Sequence, residues 1–358
     1  MKLKSLLLTT LCVLCLTSCI KDDPLYREAD ITSFTLDEKI MVSSNISDNK
    51  IQIVVVEGTD YKSLVPTIFL SPGAIVTPAS GETIDFTNDV VYKVVSEDGK
   101  YSKEYTVSVT SFTSMKHDFE EWELAGALWK YPVLKDITWS SANLGIAIAK
   151  TGKVDRYPTR DTIDAHTGEH AAVLETLFGG GKYWGNYIPI FSGSLFTGKF
   201  QIVDTNNVLT STHFGQVQAK ESGKPLELKG YYKYKRGKEF IDSKGDTIPN
   251  KMDEFSISAV LYKVAKDDTG KDEYLDGTNI QTSDKIIAKA ILEDSEEKEE
   301  YTYFSIPLEY TEEMNYEQHA YKLAIVLASS KRGNYYEGAP GSMLIIDSVE
   351  VVCEEIKE

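Results

Sequence analysis

In Tyr105-Thr106-Val107-Ser108-Val109 apolar and polar side chains alternate with period two, and strand-like runs recur along most of the chain. Period two sends successive side chains to opposite faces of a pleated ribbon, so such a run buries one face and wets the other. Residues 51–56 form a β-rich run. Residues 90–95 and 105–109 flank Glu97-Asp98-Gly99-Lys100 and read as a hairpin, because an Asp-Gly pair tolerates the positive φ of a tight turn. Pro66, Pro72 and Pro78 break any helix between them. Residues 31–111 therefore predict an immunoglobulin-like β-sandwich, without the Cys-Trp-Cys pattern of antibody domains. Residues 112–358 are too many for a second small sandwich and show no internal repeat. Strand-like runs at 171–177, 255–264, 301–307, 322–328 and 343–352 are separated by turns rich in Gly, Asn and Asp. The expected fold is all-β: an N-terminal immunoglobulin-like β-sandwich followed by a larger β-sandwich jelly roll. Residues 285–300 are the best helical candidate, and Asp294-Ser295-Glu296-Glu297-Lys298-Glu299-Glu300 within them reads as a solvated charge run.

The chain opens Met1-Lys2-Leu3-Lys4, continues with an apolar run over 6–16, and reaches Leu16-Thr17-Ser18-Cys19. A basic start, a short apolar stretch and small residues at the cut make residues 1–18 a secretory signal. The run is too short to span a membrane, which takes about 20 residues. Leu-Thr-Ser-Cys resembles a lipobox, which implies lipidation at Cys19 and a tether over 19–30. Cys12 and Cys15 leave with the signal, so Cys353 has no disulfide partner and each domain must stand on its own core. With 42% hydrophobic residues that is feasible. The net charge of −17 argues against nucleic acid or direct contact with anionic lipid as partners; the membrane is reached through the lipid anchor only. Lys21, Asp22 and Asp23 after Cys19 resemble the start of Bacteroidetes lipoproteins displayed on the cell surface, which implies the outer face of the outer membrane. Residues 31–111 resemble the small immunoglobulin-like modules near the start of such proteins, with a spacing role preferred to a binding one.

Several stretches of the second domain belong together: Trp139-Ser140-Ser141-Ala142-Asn143-Leu144-Gly145, Tyr157-Pro158, Gly193-Ser194-Leu195-Phe196-Thr197-Gly198, Ser211-Thr212-His213-Phe214-Gly215, Gly230-Tyr231-Tyr232-Lys233-Tyr234 and Gly341-Ser342-Met343-Leu344-Ile345-Ile346-Asp347. As a set they resemble the putative carbohydrate metabolism domain family of Bacteroidetes lipoproteins, over roughly the last two thirds of the chain. The resemblance implies an immunoglobulin-like domain, a jelly roll and a glycan pocket. A sugar presents flat CH faces ringed by hydroxyls, so its site wants aromatic faces and a few planar hydrogen-bonding groups. Trp139, Trp184, Tyr231 and Tyr232 are candidates for the faces; Asn143, His213 and Lys233 for the hydrogen bonds. Plainer readings stand beside these: core packing for the tryptophans, a turn for Asn143, a satisfied buried histidine for His213. In the Tyr231–Tyr234 stretch, Tyr232 and Tyr234 share one face and Tyr231 and Lys233 the other, so one pair belongs to the core. The glycine-rich residues 179–185 read as a mobile loop presenting Trp184.

His166-Thr167-Gly168-Glu169-His170 matches H-x-x-E-H, but a zinc site needs both histidines on one helical face, and Gly168 followed by strand-like residues reads as a turn. Gly179-Gly180-Gly181 lacks the Gly-Lys-Ser/Thr and the helix of a nucleotide loop. A glycoside hydrolase needs two carboxylates flanking the bond. The E-x-D-x-x-E signature of jelly-roll β-glucanases is absent, leaving Glu120, Glu121, Asp253 and Glu254 as unpaired candidates. No cofactor is required by any motif; by analogy with carbohydrate-binding jelly rolls, Asp118, Glu120 and Asp347 are candidate ligands of a structural calcium. The leading expectation is a surface-anchored glycan-binding accessory lipoprotein whose partner is an oligo- or polysaccharide. A glycoside hydrolase or lyase with acids scattered in sequence is the first alternative. A structural or adhesive surface protein, in which the aromatics named above are buried, is the second.

Overall fold

The computed structural model describes residues 25–356 apart from 48, 57, 184, 205–206 and 267–272. The signal, Cys19 and Trp184 expectations lie outside the described residues. The chain divides into two compact units that part between Ser111 and Phe112.

The first unit is built from β1 (Ile31–Thr35), β2 (Met41–Ser47), β3 (Lys50–Val55), β4 (Thr67–Leu70), β5 (Ile75–Thr77), β6 (Val90–Val95) and the first part of β7 (Ser102–His117). β2 and β3 pair antiparallel, β3 runs parallel to residues 106–111 of β7, and β6 lies antiparallel on β7 with β5 beyond it. β1 and β4 form a separate two-stranded sheet. Gly99 closes the β6–β7 hairpin at φ 68°, as the Asp-Gly pair requires. The inward alternation of Tyr92, Val94, Tyr105, Val107 and Val109 fills one core with Phe34 and Phe86, and Phe34 meets Tyr92 edge-on at 5.3 Å.

The second unit carries β8 (Trp122–Ala125), β9 (Tyr131–Leu134), β10 (Trp139–Ser140), helix α1 (Asn143–Ala149), β11 (Thr159–Thr162), β12 (Ala171–Glu175), β13 (Leu177–Tyr183), β14 (Asn186–Phe191), β15 (Ser194–Phe200), β16 (Thr212–Phe214) and β17 (Gln216–Val217). It continues with β18 (Lys224–Lys235), β19 (Ser256–Ala265), β20 (Ile286–Ile291), β21 (Lys298–Pro307), β22 (Glu309–Tyr310), β23 (His319–Ala328) and β24 (Met343–Glu354). One sheet runs β10-β15-β23-β19-β20-β22, with β16 on β15 and β17 on β23. In the other, β24 lies between β12 and β18, β11 adds to β12, β21 adds to β18, and residues 112–117 pair with the end of β24. Leu195, Ile257, Leu323 and Ile325 of the first sheet pack with Leu228, Tyr232, Phe304, Leu344 and Ile346 of the second in one core. The chain is all-β, an immunoglobulin-like sandwich followed by a larger jelly-roll sandwich.

Three local expectations are corrected. Residues 285–300 are not helical: Ile286–Ile291 is a strand between β19 and β22, and Lys298 already begins β21. The β-branched isoleucines favour the pleat, and pairing with two neighbours outweighs a short run's weak helical propensity. Residues 179–183 belong not to a mobile loop but to β13, hydrogen-bonded to β14 through a register shift between Phe178 and Gly181. Asn143 opens a helix rather than a turn.

Candidate functional site

Tyr231 and Lys233 alternate with the buried Tyr232 and Tyr234 along β18, so they stand on the outward face of their sheet. Antiparallel pairing sets Tyr231 directly opposite Tyr303 of β21, with ring centroids 5.3 Å apart. Tyr301 shares the face of Tyr303, being two residues away on the same strand. His166, from the turn before β12, meets the Tyr231 ring edge-on at 3.6 Å and lies 5.4 Å from Tyr301. The Lys233 ammonium sits 4.7 Å over the Tyr301 ring and 2.8 Å from Asp164. The Tyr301 hydroxyl donates to the carbonyl oxygen of Asp164 at 2.5 Å. Burial, followed by the negative charge of Asp164, pushes the Tyr301 phenol above its usual range, so it stays a neutral donor at physiological pH. Tyr303 is 52% exposed and His166 is exposed beside it. These side chains form an aromatic platform of mutually inclined rings bordered by an ammonium and a carboxylate, with both the faces and the hydrogen-bonding groups that a sugar uses.

The turn that carries His166 is held by carboxylates. Asp347, fully buried, accepts the backbone N–H groups of His166 at 2.7 Å and Thr167 at 3.0 Å. Glu120 accepts those of Glu169 and His170, and Gly168, at φ 72°, leaves the space that the Glu120 carboxylate occupies. The Asp118 carboxylate accepts the N–H of Glu120 at 3.4 Å. The three acids proposed for calcium are thus directed at backbone donors instead of a common centre. No cluster of three or more His, Cys, Asp or Glu side chains able to hold a metal ion occurs among the described residues. The His166–His170 stretch is the turn into β12.

The other anticipated side chains do not converge on the platform. Trp139 is 5% exposed and donates from Nε1 to His117 Nδ1 at 3.0 Å; burial holds the His117 imidazole below its usual pKa, which suits an unprotonated Nδ1. Asn143 is buried, with its amide donating to the carbonyls of Pro132 at 3.0 Å and Thr159 at 2.7 Å; it clamps two strands. Tyr232 lies in the core and donates from its hydroxyl to Asp294. His213 stacks on Tyr274 at 3.6 Å. Near Trp139, Asp118, Glu120, Glu121 and Asp136 line a cleft of about 360 Å³. Its acids are engaged: Glu120 with the turn, Glu121 with Lys135 at 3.3 Å, and Asp136 with Thr138 at 2.7 Å. Asp253 is a carboxyl that burial raises above its usual pKa, but it is 1% exposed and its oxygens accept four hydrogen bonds. Sequence reasoning missed Tyr301, Tyr303, His166 and Asp164. The period-two spacing of Tyr301 and Tyr303 was visible in the strand; the register against Tyr231 was not.

The putative carbohydrate metabolism domain model matches residues 90–352. The chain belongs to this family. The family gives it a carbohydrate-related role. Residues 31–109 match the SGBP N-terminal model, so the protein is of the surface or secreted class. Among solved structures, a Bacteroides thetaiotaomicron protein described as a putative glycoside hydrolase is 34% identical over 94% of this chain and 99% of its own, with a TM-score of 0.58. A Bacteroides vulgatus protein, also described as a putative glycoside hydrolase, is 31% identical over 66% of this chain and 97% of its own, with a TM-score of 0.56. No curated protein sequence matches.

His213 supplies a pH test of this family's jelly roll. Burial lowers its pKa against the opposing pull of Asp276 and of the Thr210 carbonyl, with Lys199 and Lys322 adding to the lowering. The unfolded chain therefore takes up this proton before the folded one. The His213 contribution is complete above about pH 6.5 and is lost as pH falls from there toward the lowered pKa. The melting temperature is expected to fall over that window, with a shallower slope in His213→Gln; identical slopes would remove His213 as the cause.

Proposed function

We propose that this protein is a cell-surface glycan-binding lipoprotein that holds an oligo- or polysaccharide against Tyr231, Tyr301, Tyr303 and His166, with Lys233 and Asp164 bonding to its hydroxyls. The observation that carries the reading is the ring pair of half-buried Tyr231 and exposed Tyr303, at 5.3 Å, fixed by strand register on the sheet. Rings held by packing lose little freedom on binding, and their CH-binding faces exclude water from the contact. An open surface suits a chain lying along it better than the capture of a chain end. In this reading Cys19 carries the lipid, residues 19–30 are the tether, and the first unit spaces the jelly roll from the outer membrane. Binding without turnover fits the acids described above, each of which is occupied by protein groups.

The test is calorimetric titration of the chain from residue 20 onward with a panel of plant and host oligosaccharides, with reducing-sugar release followed on the same samples. Saturable binding without release is expected. Tyr303→Ala should weaken it about tenfold or more, the usual effect of removing a central aromatic contact. Binding untouched by Tyr231→Ala and Tyr303→Ala would remove the platform from the reading. Release of reducing ends would replace it with the hydrolase alternative.

A further inference from the structure

The outward face of the first jelly-roll sheet carries a half-open pocket of about 260 Å³. Strand register sets out its floor. Leu195 of β15, Leu327 of β23 and Ile257 of β19 form one row across three strands and belong to the core between the sheets. Side chains alternate along a strand, so the rows on either side of this one point outward. One is Ser194, Ala328 and Ser256; the other is Phe196, Val326 and Ser258. In the first, all three residues are half-buried and line the pocket. The Ser194 backbone bonds to Thr159 and that of Ser256 lies in the β19–β23 ladder, which leaves both hydroxyls without a partner among the described residues. The second row has no free polar group: the Ser258 hydroxyl donates to the Val326 carbonyl at 3.3 Å, and Phe196 meets Phe214 edge-on at 4.9 Å. Half-buried Val326 and Phe200 pack with these rings and line the pocket beside them. Gln281 and Asn334 stand exposed among the lining residues, so the pocket meets solvent through a polar rim.

Neighbouring strands lie about 4.8 Å apart, so Ser194 and Ser256 are separated by roughly 9–10 Å with only the Ala328 methyl between them. A six-membered sugar ring lying over Ala328 bridges that gap with one hydroxyl bonded to each serine, and the small alanine lets the ring approach the sheet. A bare sugar would also set hydroxyls against the second row, where they lose water and gain no partner. A short acyl group in that place exchanges water for the Val326 and Phe200 side chains, which favours it. The volume agrees: a cavity of about 150 Å³ accepts a benzene ring, so this pocket has room for one sugar residue with a small substituent, and its open side lets the rest of a chain leave. We propose that this pocket is a second saccharide site that takes one acetylated sugar residue, its ring across Ser194 and Ser256 and its acetyl group against Val326 and Phe200. Such a site rests on the family's carbohydrate-related role and not on the tyrosine platform, since Tyr231 and Tyr303 stand on the other sheet.

The probes are methyl 2-acetamido-2-deoxy-β-D-glucoside and methyl 3-O-acetyl-β-D-xyloside, titrated calorimetrically into the chain from residue 20 onward, with methyl β-D-glucoside and methyl β-D-xyloside as comparisons. At least one acetylated glycoside should bind saturably, about fourfold tighter than its unacetylated counterpart, as burial of one methyl group provides. Preference for the first probe would assign an N-acetylated sugar, and preference for the second an O-acetylated one. Ser194→Ala and Ser256→Ala should each weaken binding about fivefold, as loss of one hydrogen bond does, with melting temperatures near that of the parent because neither hydroxyl has an internal partner. Val326→Thr should remove the preference for the acetyl group. Ala328→Leu, whose side chain would stand where the ring lies, should abolish binding; if that variant does not fold, the two serine variants decide. Tyr303→Ala should change none of these values, so failure of the platform and failure of this pocket are read separately. Absence of saturable binding by both acetylated glycosides, equal affinity with and without the acetyl group, affinity unchanged in both serine variants, or loss of binding in Tyr303→Ala would each overturn the proposal.

Discussion

Asp253→Ala is expected to lower the melting temperature of the second unit by roughly 6–24 °C, the counterpart of about 3–6 kcal/mol in a domain of this size. One oxygen of this buried carboxylate accepts from the Ser330 hydroxyl at 2.6 Å, the Ser342 hydroxyl at 2.7 Å and the Ala339 N–H at 2.7 Å, while the other accepts the Glu254 N–H at 3.0 Å. The donors come from the turn after β23, the segment leading into β24 and the residue beside Asp253 itself. A single side chain therefore joins its own segment to two neighbouring stretches that lie 77 to 89 residues further along the chain. Alanine would leave the Ser342 hydroxyl and the Ala339 N–H buried with nothing to receive them, at about 1–3 kcal/mol apiece, while the Ser330 hydroxyl keeps Thr176. Burial raises the Asp253 pKa, so some of this gain is already offset by the cost of dehydrating the charge. Asp253→Asn keeps one acceptor oxygen and should recover part of the loss. Thermal unfolding of the three proteins is the measurement, and a parent-like melting temperature for Asp253→Ala would show that the donors find other partners.

Gly198→Ala should cost about 2–6 kcal/mol, or roughly 4–24 °C in melting temperature. Gly198 lies in β15 at φ 138°, a region that side chains of L-residues rarely enter, and an added Cβ would overlap the carbonyl oxygen of His213 on the paired strand β16. The N–H of Gly198 also donates to Thr138 at 2.8 Å, and its carbonyl accepts from Ser140 at 3.0 Å. The strand cannot move away from one neighbour without breaking from the other. Gly185→Ala is the control: its φ of 84° is also positive, but an added Cβ would have nothing within 4 Å. Backbone strain alone, about 1–2 kcal/mol, is expected there. Equal melting temperatures for the two variants would show that the steric overlap at Gly198 relaxes freely.

These two residues show where sequence reading reaches and where it stops. Gly198 stood at the end of a stretch that carried the family resemblance, and the structure supplies its reason: a strand junction with no room for a side chain. Asp253 was visible only as an acid in an acidic chain. Its partners lie 77 to 89 residues away, a separation that no local pattern encodes. The same limit explains the helix anticipated over 285–300, since Ile286-Ile287-Ala288-Lys289-Ala290-Ile291 is ambiguous until its neighbours are known. Trp139, Asn143 and Tyr232 had the right chemistry for a sugar site, but each uses that chemistry inside the protein.

The sequence by itself determined the all-β class, the β6–β7 hairpin, the family, and the rule that Tyr232 and Tyr234 face one way while Tyr231 and Lys233 face the other. These follow from side-chain period, turn residues and motif identity, which act over a few residues. Only the tertiary structure decided which of those faces is the core, and that Tyr303 and Tyr301 stand beside Tyr231 and Lys233 under a turn fastened by Asp347 and Glu120. Strand register and loop anchoring are fixed by burial and hydrogen bonds between segments more than a hundred residues apart in places, as in the bond from His166 to Asp347, and such pairings exist only once the sheets have formed.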